Sequence, residues 1–130
     1  MKMTTMKSLM VIMAAALGLT MSAGLAQNNH RDLDPEIANE LVVLSRSPYW
    51  LREQAFKDAL NQAWNQLPAK MQKALEPEHR KWVKWKNTLD KETRESETEY
   101  RAYYIMAIAK GQNPEKVKRD LEAYRARLGQ

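Results

Sequence analysis

Two histidines, a basic aromatic run and an acidic run are the parts of this chain whose side chains could do chemistry. The histidines, His30 and His79, lie far apart in sequence and not at the spacing of a helical ligand pair, so a histidine-held metal is not expected. There is no cysteine among the 130 residues. That excludes disulfides, thiol nucleophiles, iron–sulfur clusters and cysteine-held zinc. Carboxylates are plentiful, but none is tied by a motif to a histidine, a glycine-rich turn or an apolar pocket. No Gly-x-Ser-x-Gly, phosphate loop or His-Glu-x-x-His occurs. The expectation is a protein that is not an enzyme and carries no cofactor or metal.

The two charged runs are adjacent. His79-Arg80-Lys81-Trp82-Val83-Lys84-Trp85-Lys86 is basic and aromatic, while Asp90 to Glu99 holds five acids, two bases and no apolar residue. On a helix, Arg80, Lys81 and Lys84 point away from Trp82, as an ordinary solvated face or as a patch for an anionic polymer. Trp85 falls at the margin of Trp82's face and is the better candidate for an exposed aromatic. The acidic run reads as a solvated helix face, a bridge between packed ends or a loop. Its Glu92, Glu95, Glu97 and Glu99 form a candidate surface for a cationic partner.

The elements that must position these residues are helices. Lys2 and Lys7, the uncharged stretch Leu9–Met21 and the small residues Ser22-Ala23-Gly24-Leu25-Ala26 have the three regions of a secretory leader. The stretch is short of the ~20 residues that span a bilayer, so residues 1–26 read as a cleaved signal peptide rather than a stable membrane anchor. Cleavage after Ala26 would leave a periplasmic or secreted chain beginning at Gln27. The formal charge falls from +5 to +3, because Lys2 and Lys7 leave with the leader.

Residues 27–130 then form a single all-α domain of three to four helices. Asp34-Pro35-Glu36 gives an N-cap, a first-turn proline and a first-turn acid, followed by Ile37, Leu41 and Leu44 on one face. Ser47-Pro48 restarts the chain in the same manner. Phe56, Leu60, Ala63, Trp64 and Leu67 share a face up to Pro68, and Glu76-Pro77 opens a further helix with Leu75, Trp82 and Leu89 seven apart. No glycine or proline separates Pro77 from Gly111, which allows one long helix over about 77–110. A break near Asn87–Ser96, with Ser96-x-x-Glu99 as capping box, is the alternative. Asn113-Pro114 opens a C-terminal helix over 114–128. Tyr100, Tyr103, Tyr104, Ala107 and Ile108 read as a buried stripe, and Tyr49-Trp50 as core or edge.

From Leu60 to Lys86 the sequence reads Leu60-Asn61-x-x-Trp64-x-x-Leu67-Pro68, then Leu75-x-Pro77-Glu78-His79-x-x-Trp82-Val83-Lys84-x-Lys86. This resembles the signature of the LprI-type lysozyme-inhibitor domain, a family of small secreted bacterial helical domains. His79 stands where that family usually has Gln, and the family's cysteines are missing, with Asp90 about where one is expected. The residues themselves suggest a two-helix core in which Trp64 and Trp82 interdigitate, with His79 one turn before Trp82. Asn61 is either a hydrogen-bonded tie between the helices or solvent-facing.

The resemblance implies an exported protein-binding module, inhibiting or sequestering a lysozyme-like cell-wall hydrolase. A net charge of +3 has the wrong sign for steering toward a cationic enzyme, which leaves the acidic run as the contact surface. The alternatives are a chaperone-like envelope-stress protein and a binder of anionic cell-wall polymer. Export separates the chain from nucleic acid, which is not an expected partner.

Overall fold

Each helix of the chain has a local reason to start where it does. The computed structural model describes residues 32–129, so the expected leader lies outside the described residues. Among the latter are five helices and no strand: α1 (Pro35–Leu44), α2 (Tyr49–Gln66), α3 (Ala69–Lys86), α4 (Lys91–Ala109) and α5 (Pro114–Arg127). The class is all-α, with one helix more than the three to four expected.

Asp34 caps α1 by accepting from the N–H groups of Glu36 and Ile37, and Asn113 caps α5 by accepting from Glu115 and Lys116. α4 ends in a Schellman turn. Gly111 takes φ +103°, the Gln112 N–H donates to the Ala107 carbonyl and the Gly111 N–H to that of Ile108.

Of the two possibilities for residues 77–110, one long helix or a break near Asn87–Ser96, the structure has the break. The chain turns at 87–90, and Asp90 rather than Ser96 provides the cap, accepting from the Thr93 N–H at 2.8 Å. Pro77 does not open a helix either. It lies inside α3, which starts eight residues earlier behind Pro68. A proline in a helix interior removes one hydrogen bond to the carbonyl four residues back. Here that carbonyl belongs to Lys73, which is exposed like Pro77 itself, so water can replace the lost donor.

α4 is the central element, and its buried residues run from Glu95 to Ile108. Phe56, Leu60 and Ala63 of α2, Ile37, Ala38 and Leu41 of α1, and Val117 and Tyr124 of α5 complete the core with it. The tyrosine stripe Tyr100, Tyr103 and Tyr104 is buried. The Tyr103 hydroxyl accepts from the Asp34 N–H at 2.7 Å, joining the start of α1 to α4. α2 and α4 begin at the same pole, where Arg52 meets Glu95 and Glu53 meets Arg94. α3 connects the end of one to the start of the other and therefore runs antiparallel to both. It contributes no buried apolar side chain. Met71, Leu75 and Trp82 are only partly buried, and its single buried residue is Lys86.

Candidate functional site

A helix without a buried apolar side chain needs another means of attachment, and α3 has one in the motif residues. The His79 ring stacks on Trp64 of α2, with centroids 4.6 Å apart and planes 21° apart. On its other side it stacks on Trp82 at 5.7 Å and 15°. The expected Trp64–Trp82 pair is thus a three-ring stack with the imidazole between two indoles, and both tryptophans are partly rather than fully buried.

Arg101 of α4 closes the stack. Its Nε and Nη2 lie 3.2 and 3.0 Å from His79 Nδ1, while Nη1 and Nη2 donate to the two carboxylate oxygens of Glu78 at 2.8 and 3.0 Å. A guanidinium has no acceptor atom, so Nδ1 must be the acceptor and the imidazole is neutral. The same guanidinium lies 5.4 Å from the Trp82 ring centre and 4.8 Å from that of Tyr104. Its side chain is only 7% exposed.

Burial first, and then the Arg101 charge, push His79 from its ordinary 6.5 down to about 4, with Glu78 opposing in part. The hydrogen bond from Arg101 holds the Glu78 carboxyl below its usual range. Burial lowers Lys86, whose ammonium lies 5.8 Å from the Trp82 ring centre.

A pH dependence follows. The folded protein keeps His79 neutral, whereas the unfolded chain protonates it near pH 6.5. Stability is therefore complete above about pH 6.5 and falls as pH drops toward 4. We expect His79→Gln, which retains an acceptor for Arg101 but cannot titrate, to flatten this window. Urea midpoints at pH 7 and 4.5 should show the wild type losing about 1–2 kcal/mol more than the variant. Equal losses would contradict the assignment.

The other motif residues act around this stack. Leu60 and Leu67 are buried, and Pro68 precedes the first turn of α3. Asn61 is exposed, which settles its alternatives in favour of solvent. Sequence reasoning missed Arg101. An arginine inside a tyrosine stripe has no periodic signature, and its partners lie 22 and 23 residues back.

The acidic run departs most from expectation. Glu95 is buried and accepts from Arg52 Nε at 2.8 Å. Glu97 takes both terminal nitrogens of Arg125, at 3.2 and 2.8 Å, and Glu99 is wholly buried. Only Glu92 of the four is exposed. The run is neither a loop nor a solvated face. It turns its carboxylates inward because α2 and α5 present arginines there. The third neighbour in this layer, Glu53, is held below its ordinary range by a 2.6 Å bond from Arg94. The candidate acidic contact surface is thereby reduced to Glu92 and the capping Asp90.

On the surface, Arg80, Lys81 and Lys84 are exposed, with Arg80 paired to Glu76 one turn away at 3.0 Å. Trp85 is 46% exposed. Tyr49 and Trp50, expected as core or edge, are 48% and 74% exposed. They precede the first core residue of α2, Phe56, by more than a turn; Tyr49 is an edge residue with Lys91 and Arg52 over its ring, and Trp50 is largely open.

No group of three or more histidine and carboxylate side chains that could hold a metal ion comes together among the described residues. No described helix is long and apolar enough to cross a membrane. A shallow trough of about 180 Å³ lies between Trp82, Tyr100, Arg101, Tyr104, Leu121 and Arg125. Its two guanidiniums are already neutralised by Glu78 and Glu97. Comparison with family models, with curated proteins and with solved structures finds no match. The resemblance to the LprI-type domain rests on the motif residues alone.

Proposed function

We propose that this chain is an exported binding module without catalytic activity, and that it makes contact through one pole of its helical bundle. The observation that carries this reading is the distribution of exposed apolar side chains. Among the described residues the large ones with high exposure are Val43, Tyr49, Trp50, Leu51 and Trp85. All lie where α1 and α3 end and α2 and α4 begin. The Lys91 ammonium, 4.2 Å from the Tyr49 ring centre, joins the two corners. Clustered exposed apolar groups in a small helical domain mark an interaction site.

The motif residues hold α3 in place, and the inward acids hold α2 and α5. Neither set is free to recognise a partner. Inhibition of a cationic hydrolase through an acidic face therefore has little support, since Glu95, Glu97 and Glu99 are occupied inside the fold. Export rests on the leader pattern in residues 1–26. The test compares the processed chain with a Trp50→Ser/Trp85→Ser variant for co-sedimentation with cell-envelope fragments. The wild type should sediment and the variant should stay in solution with an unchanged melting temperature. Equal sedimentation of both would overturn the reading.

A further inference from the structure

The chemistry of the same pole also points to what it meets. We propose that Val43, Tyr49, Trp50, Leu51 and Trp85 enter the headgroup region of an anionic phospholipid bilayer, an inference that rests on the reading of the pole as the contact surface. Tryptophan and tyrosine combine an apolar ring with a polar edge and favour the boundary between acyl chains and water, where leucine and valine add apolar area.

The fringe is basic. Arg46 and Lys84 are exposed and Lys91 is half-buried, with Lys81 one turn behind Trp85. Clustered cations beside apolar groups are attracted to anionic lipid. The acids at this pole are mostly engaged. Glu53 and Glu95 are paired with Arg94 and Arg52 and Asp90 caps α4, while Glu40 and Glu92 are exposed beside the four cations Arg46, Lys81, Lys84 and Lys91.

Shape and charge also bear on the choice of occupant. The two best-formed hollows among the described residues are lined by residues away from the pole. A second copy docking pole to pole would oppose its own Arg46, Lys84 and Lys91. A deformable anionic surface accommodates convex rings and satisfies the cations together.

The experiment uses the chain as exported, beginning at Gln27, so that the apolar leader makes no contribution. Vesicles of phosphatidylglycerol mixed with phosphatidylcholine, and of phosphatidylcholine alone, are sedimented with it. Binding to the anionic vesicles is expected, with weaker binding to the neutral ones and a loss in high salt. Trp50→Ser/Trp85→Ser should weaken it about tenfold or more, and Arg46→Gln/Lys84→Gln/Lys91→Gln should weaken it on anionic vesicles only. Circular dichroism of each variant should match the wild type. No binding to anionic vesicles, or undiminished binding by the serine variant, overturns the proposal. If envelope fragments still bind through Trp50 and Trp85 while vesicles do not, the pole contacts an envelope component other than lipid, a protein or a cell-wall polymer. The lipid inference then fails while the contact surface stands.

Discussion

Arg101→Ala is expected to lower the melting temperature by about 10–15 °C, although the residue lies away from the proposed contact pole. The guanidinium makes two hydrogen bonds to Glu78, is shared with His79 Nδ1 and covers the Trp82 and Tyr104 rings. Removing one member of a buried ion pair costs about 3–5 kcal/mol when the other is left buried. Glu78 is half exposed and can return to water, so the loss should be nearer 2–3 kcal/mol, mostly from lost packing and the orphaned imidazole acceptor. For a domain of about 100 residues, 1 kcal/mol moves the midpoint by about 4–8 °C. The matched control is Arg80→Ala on α3, one residue beyond His79. Its side chain is 72% exposed and paired only to Glu76, so it should cost less than about 0.5 kcal/mol. Thermal melting followed by circular dichroism compares the two. Equal small losses would mean that α3 is held by something other than the stack.

The second large effect is expected from Glu95→Gln combined with Glu97→Gln. Both carboxylates bond to arginines from other helices, Arg52 on α2 and Arg125 on α5, and both are shielded, at 5% and 14% exposure. Glutamine keeps the volume but gives up the charge and turns an amide toward a guanidinium, so the pair should lose about 2–4 kcal/mol. Glu92→Gln, on the exposed face of the same turn of sequence, should stay within about 0.5 kcal/mol. Chemical denaturation reads the difference. A contact-surface role for these acids would give the opposite pattern, with stability unchanged and only binding affected.

What the sequence made legible was local. Asp34-Pro35, Asn113-Pro114 and Gly111 state their roles within a few residues, and the structure uses each as a cap. Helical spacing put His79 one turn before Trp82, and the apolar faces of the two helices put Trp64 opposite them. What stayed illegible depended on distant partners. Five acids in ten residues look like a solvated surface until Arg52 and Arg125 are brought alongside, 43 and 28 residues away from their partners. Arg101 looked like a break in the tyrosine stripe because its acceptors come from another helix. Pro77 misled because the rule against interior prolines is local, while its cost depends on whether the orphaned carbonyl is wet. Trp50 has the composition of a core residue, and only the assembled bundle shows how open it is.

Trp64 and Trp82 build the fold while Trp50 and Trp85 are proposed to meet a partner, and oxidation of individual indoles read by mass spectrometry tests that division most directly. In the free protein Trp50 and Trp85 should react fast and Trp64 and Trp82 slowly. Adding envelope fragments should protect Trp50 and Trp85 and leave the slow pair unchanged. Protection confined to Trp64 and Trp82, with Trp50 and Trp85 reacting as before, would contradict it and move recognition to the His79 stack.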